Sequence, residues 1–199
     1  MQLIDITQPI DEASPVYPGD ASLSIERTAS EPAIVSAFRM SPHLGTHVDA
    51  PLHLHRKGDA SAIDCSRLLG PCQVVGISRS SGAISPEDFP CITEKRVLIR
   101  TGFVARDVWD NAFAYLSTES VQWLISQGVD VIGIDTPSID SADSHHLPSH
   151  ICAIDADILI LENLRLTEVR PAIYQLIALP LKINGLEASP VRAVLLKKE

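Results

Sequence analysis

Val131-Ile132-Gly133-Ile134 and Ile158-Leu159-Ile160-Leu161 carry no polar side chain. Successive side chains of a strand point to opposite faces, so runs this short and this apolar fit strands covered on both sides. Further short apolar or alternating runs lie at 3–7, 22–28, 34–40, 72–77, 97–101, 174–179 and 191–196, and the two quoted runs extend to 129–134 and 158–162. Several are rich in Val and Ile and are bounded by Pro, Gly or Asp, a strand signature. Helical signals are fewer. Ser117 opens a segment whose Val121, Leu124 and Ile125 fall at helical spacing and which Gly128 closes. A second helix is expected within 145–156, and a short turn or helix within 107–115. The fold class is therefore α/β, a mixed, strand-rich domain. With 199 residues and no repeat or linker, one domain over 1–199 is expected.

The net charge of -9 at pH 7 argues against nucleic acid, whose phosphates need clustered Lys and Arg, and against anionic membrane surfaces. The start Met1-Gln2-Leu3-Ile4-Asp5 lacks a basic n-region and a long apolar run, so no signal peptide is read and a cytoplasmic location is expected. No stretch approaches the roughly 20 apolar residues of a membrane span. Cys65, Cys72, Cys91 and Cys152 form no C-x-x-C pair and are expected as reduced thiols.

The stretch from 41 to 64 does not read as a regular element; it holds two prolines, two glycines and four histidines. Within it, His43-Leu44-Gly45-Thr46-His47-Val48-Asp49-Ala50-Pro51-Leu52-His53 places three histidines and an aspartate in eleven residues. On an extended chain His43, His47 and Asp49 would share a face at positions i, i+4 and i+6, with His53 at i+10, and Gly45 and Pro51 are the positions where a bulge could enter. Imidazole and carboxylate suit zinc, manganese or iron, and no thiolate joins them. The alternative is a loop of solvated polar residues, which such density makes the weaker reading. Further on, His145, His146 and His150 cluster, and Glu162 ends an apolar run twelve residues after His150. A carboxylate closing such a strand is where site residues project from open α/β sheets. Alone, Glu162, His145 and His146 would read as solvated.

The pattern H-x-G-T-H-x-D-x-P-x-H from His43 to His53 resembles the marker of the cyclase-like amidohydrolases, and among them the bacterial kynurenine formamidases. Asp5-Ile6-Thr7-Gln8-Pro9, Pro15 to Asp20, Gly133 to Ser138 and Gly185 to Arg192 are similar to further blocks of that family. The resemblance implies a swivelling β/β/α (cyclase-like) domain. It also implies hydrolysis of N-formyl-L-kynurenine to L-kynurenine and formate in tryptophan degradation. Residue by residue, it implies that His43, His47 and Asp49 hold a first divalent ion and that Asp49 also touches a second. His150 would be a ligand of the second, Glu162 would bridge both, and His53 would be the acid/base. Zinc is the first choice, with manganese or iron open. Tyr17 takes the place of a tryptophan that contacts substrate in the family, which leaves the substrate open. A homodimer or larger homo-oligomer is implied as well. Two alternatives remain: another hydrolase of the family, such as one opening isatin or a small cyclic amide or ester, and a metal- or metabolite-binding module without turnover. A cysteine nucleophile is disfavoured, since no cysteine lies in the histidine cluster.

Overall fold

The computed structural model describes residues 2–106 and 108–197. Among these the strands are β1 (Gln2–Asp5), β2 (Ser24–Ser30), β3 (Ala33–Arg39), β4 (His47–Asp49), β5 (Leu69–Gly76) and β6 (Gly82–Ile84). They continue with β7 (Arg96–Arg100), β8 (Ala114–Leu116), β9 (Val131–Ile134), β10 (Leu159–Glu162), β11 (Ala172–Pro180) and β12 (Ala188–Lys197). The helices are α1 (Thr118–Ser126) and α2 (Pro148–Asp155).

The two runs that decide the fold class become β9 and β10, parallel neighbours with Leu159 beside Val131 and Ile160 beside Ile132. They lie in an eight-stranded sheet of order β1-β12-β11-β5-β7-β9-β10-β4. β12 also pairs with β4, so the sheet closes on itself in a barrel-like form. Strands β5, β7, β9 and β10 run parallel; β4, β11 and β12 join antiparallel.

Both faces of the sheet are covered at β7, β9 and β10, as the uninterrupted apolar runs require. Alternate residues Leu98, Val131, Leu159 and Leu161 enter one core with Ile6, Val48 and Leu176. Their neighbours Val97, Ile99, Ile132, Ile134 and Ile160 enter a second core with Val121 and Leu124 of α1 and Ala153 and Ile154 of α2. Gly133 faces the first core, where a Cβ would lie 2.4 Å from Leu98 Cδ2. Helix α1 begins where expected: the Ser117 side chain accepts the backbone N–H of Ser120, one of the donors a helix start leaves unpaired.

All nine expected runs contain a strand. Three further strands, β4, β6 and β8, are only three residues long. The turn or helix expected over 107–115 is corrected. Asp107 lies outside the described residues, 108–113 is irregular, and Ala114–Leu116 pairs in parallel with β6. A parallel partner, supplied by the tertiary fold, overrides the weak local preference there. The 41–64 stretch, which reads as a loop or strand end, contains β4 and two short 3-10 turns, Pro51–Leu54 and Ala60–Ala62.

Candidate metal-dependent active site

Strand β4 is where the barrel closes, wedged between β10 and β12. Its middle residue Val48 points into the first core and is fully buried. Its flanking residues His47 and Asp49 must therefore project to the opposite face. His47 lies across from Glu162 on β10, and Asp49 across from Ile160. Cross-strand partners of this kind have Cβ atoms about 5 Å apart, so the register alone brings His47 and Glu162 together. Pro148 starts α2 in its first turn, and one helical step later His150 is buried against the same point.

The atoms converge closely. His43 Nδ1 is 3.2 Å and His47 Nε2 is 3.4 Å from Asp49 Oδ1. The other oxygen, Asp49 Oδ2, is 3.4 Å from His150 Nε2. Glu162 is approached from both sides too: Oε2 lies 3.3 Å from His47 Nε2, and Oε1 lies 3.2 Å from His150 Nε2. His53 joins from the 3-10 turn, its ring centre 4.5 Å from that of His43 and 5.6 Å from that of His150.

All six candidates from the two sequence clusters thus meet at one place. The route differs from the extended-chain expectation, which is corrected for two of them. Only His47 and Asp49 share a strand face. His43 arrives from the turn before Gly45, and His53 from the 3-10 turn that Pro51 begins. Gly45 is the required break: its φ is +71, and an added Cβ would lie 2.5 Å from Ile10 Cγ2.

The imidazoles are oriented by groups behind them. His47 Nδ1–H donates to the Gly45 carbonyl at 2.9 Å, which turns Nε2 to the carboxylates. His150 Nδ1–H donates to Asp140 Oδ2 at 2.7 Å, and the same carboxylate accepts the backbone N–H groups of Ser149 and His150. Such an acceptor behind a ligating histidine fixes its tautomer and raises its basicity. Asp140 was missed from sequence, because its only signal is a carboxylate ten residues before His150. Glu162 Oε1 also accepts the backbone N–H of Ile139 at 2.7 Å.

Electrostatics mark this as an unusual place to bury charge. Burial would push the His47 imidazole toward neutrality, but Asp49 and Glu162 override it and raise it to about 10. His150 is likewise raised against its burial, by Glu162, Asp140 and Asp49. Asp49, whose burial alone would raise it, is held well below the usual carboxylate range by His150, His43 and His47. Glu162 is lowered too, against burial and the Asp49 charge, by His150 and His47. His53 goes the other way: burial, with help from His43 and His150, outweighs the pull of Asp49 and Glu162 and lowers it.

The fit to a cation can be tested on Asp49. Both its oxygens are buried, yet neither has a hydrogen bond of proper geometry among the described residues. Two buried carboxylate oxygens left without hydrogen bonds are costly unless another positive centre engages them. His47, Asp49 and Glu162 offer donor atoms within 4.8 Å of one another, as do His43, Asp49 and His53. Nitrogen and oxygen donors without thiolate suit a divalent ion of the zinc, manganese or iron type.

Above this cluster opens a cavity of about 810 Å³, lined by His53, His150 and Glu162 together with Tyr17, Trp109 and Phe113. Tyr17 is half exposed and meets the Trp109 ring edge-on at 5.3 Å. His145 and His146 are exposed, as their isolated reading has it. The four cysteines carry no disulfide, and none is among the residues lining the cavity.

The family model described as "Putative cyclase" matches residues 4–141, more than half of the chain. The chain belongs to the cyclase family. Among its cyclase-family relatives is the kynurenine formamidase of Bordetella petrii, 41% identical over 203 residues, which span 98% of this chain and 97% of the relative. That of Salinibacter ruber is 39% identical over 206 residues, with the same coverage. Of solved structures, one described as "Potential Metal-Dependent Hydrolase With Cyclase Activity" superposes with a TM-score of 0.86 at 28% identity, covering 99% of both chains. Isatin hydrolase A from Labrenzia aggregata superposes at 0.82 with 21% identity, over 99% of this chain and 94% of its own; it shares the cyclase-family fold.

Proposed function

We propose that the chain, residues 1–199 as one catalytic domain, is a kynurenine formamidase that hydrolyses N-formyl-L-kynurenine to L-kynurenine and formate. The observation that carries the chemistry is the two-sided approach to Asp49 and Glu162. One oxygen of each faces His47 and the other faces His150. This favours two cations, zinc first, with His43 and His47 on one side, His150 on the other, and both carboxylates shared. The substrate follows from the relatives of 41% and 39% identity that carry this name. A reducing, cytoplasmic setting accords with the four free thiols.

When bound, such cations supply Lewis-acid polarisation of an amide carbonyl and a water acidified toward neutral pH. The protein's own part lies with His53 and the cavity wall. Its lowered proton affinity keeps His53 neutral near pH 7, so it can take the proton released as water adds to the formyl carbon. It returns that proton to the departing aryl nitrogen. Tyr17 and Trp109 offer ring faces and edges to hold the substrate's aryl group.

A second reading of His53 has its own support, because it shares a donor group with His43 and Asp49 and could be a ligand instead. Elemental analysis of the purified protein, joined to formate release from N-formylkynurenine and ring opening of isatin, tests the whole reading. Formate release with bound divalent metal is expected, with isatin turned over far more slowly. A metal-free active enzyme, or one that prefers isatin, would overturn the metal site or the substrate respectively.

A further inference from the structure

The cavity wall contains an oppositely charged pair that nothing in the reaction at the formyl group requires. Arg106 Nη1 donates to Asp110 Oδ2 at 2.5 Å, and both residues line the same cavity as His53. Between them in sequence lies Trp109, the residue whose ring meets Tyr17. We propose that Arg106 and Asp110 read the amino-acid end of the substrate, Arg106 taking an α-carboxylate and Asp110 an α-ammonium. This rests on the formamidase reading above.

The placement fits in three respects. First, Arg106 and Asp110 line the same cavity as Tyr17 and Trp109, so an aryl ring held at those two residues has the charged pair on the wall around it. Second, the wall is anchored. The Trp109 indole N–H donates to Asn111 Oδ1 at 2.6 Å, Asn111 Nδ2 donates to Asp143 Oδ1 at 3.1 Å, and Asp110 Oδ1 accepts the Ala112 N–H at 2.9 Å. Third, the pair can change partners without leaving charge unmatched. The Arg106 side chain is 68% exposed, and an ion pair so open to water contributes little to stability. A zwitterion can therefore replace each half with a like charge: its carboxylate for that of Asp110 at the guanidinium, its ammonium for the guanidinium at Asp110. Guanidinium suits this task because its fork matches a carboxylate with two parallel hydrogen bonds.

The experiment compares N-formyl-L-kynurenine with ortho-formamidoacetophenone, which keeps the aryl formamide and ketone but has neither charge. In R106Q the ratio of kcat/KM for the charged over the uncharged compound should fall about tenfold, through KM, as expected for one charge-assisted hydrogen-bonded contact at a partly open site. R106K should retain part of the ratio. D110N should lower turnover of N-formylkynurenine relative to its desamino acid, which keeps the carboxylate alone. If the R106Q ratio stays near the wild-type value, whatever happens to the absolute rates, the pair is only a loop staple and the proposal falls. If the wild-type enzyme releases formate from neither compound, the formamidase reading falls instead. Calorimetry on the metal-loaded protein then decides the subsite. A preference for L-kynurenine over ortho-aminoacetophenone that R106Q abolishes upholds it, and equal affinities in the wild type overturn it.

Discussion

In the cluster His53 is held toward its neutral form while His47 and His150 are held toward their charged form. On the proposed metal site a cation would take the lone pairs of the latter two, leaving His53 to carry the proton. Replacing His53 by Ala should leave the metal content near normal and cut formate release by about 10²–10⁴, the usual worth of a positioned acid/base. Loss of metal in H53A would instead make His53 a ligand. The same charges give the metal-free protein a definite pH dependence. The folded His47 is raised from 6.5 to about 10, so its contribution is complete below 6.5 and lost as pH climbs through 10; His150 acts in the same sense. Asp49 and Glu162 are lowered from 3.8 and 4.5, so theirs is complete above those values and lost as pH falls. Chelated protein should therefore melt highest between 4.5 and 6.5 and lose melting temperature steadily toward 10. Reloading with zinc should remove the alkaline loss, because the ion takes the place of the protons. A chelated protein whose melting temperature is flat over that alkaline range would refute the burial of these groups in one cluster.

At the level of elements, β4 is the instructive case. Its His47 and Asp49 were legible as candidate ligands, but the three residues were illegible as a strand. Polar His47 and Asp49, with Gly45 and Pro51 close by, carry no strand propensity. The strand exists because β10 and β12 supply hydrogen-bonding edges from both sides. The longer runs were legible in two ways: β9 and β10 as uninterrupted apolar stretches between two cores, and β11 and β12 as alternation over one core. His150 and Glu162 joined the site by resemblance alone, since only register and helix docking bring them to Asp49. Trp109, Asp140 and Arg106 had no comparable signal, as a lone tryptophan, aspartate or arginine in a polar stretch has many uses. The turn before β4 makes a testable claim. Gly45→Ala forces a side chain into positive φ and against Ile10, which should cost about 1–3 kcal/mol in chemical denaturation. It should also weaken metal binding, since the Gly45 carbonyl orients His47. A G45A protein with unchanged stability would show that the turn relaxes without cost.

For the molecule as a whole, strands β2 and β3 pose a problem that one copy does not solve. They pair only with each other among the described strands, and β3 is exposed along its length. Ile34, Val35 and Phe38 are 73%, 63% and 66% exposed. A two-stranded ribbon has no core of its own and is marginal in water, and clustered exposed apolar side chains mark contact surfaces. The ribbon carries both signs of charge, Glu26 on β2 and Arg39 on β3, and a patch with both signs can be self-complementary across a two-fold axis. A second copy of this chain is therefore the expected occupant, in keeping with the homo-oligomer implied by family resemblance. Light scattering after gel filtration should give a dimer or larger for the wild type. Phe38→Asp together with Val35→Asp should shift it toward the monomer while the far-ultraviolet circular dichroism stays unchanged, because neither side chain contributes to the two cores. A wild-type monomer at micromolar concentration would leave the ribbon's exposed apolar side chains without this role, and a double variant of undiminished size would move the interface elsewhere.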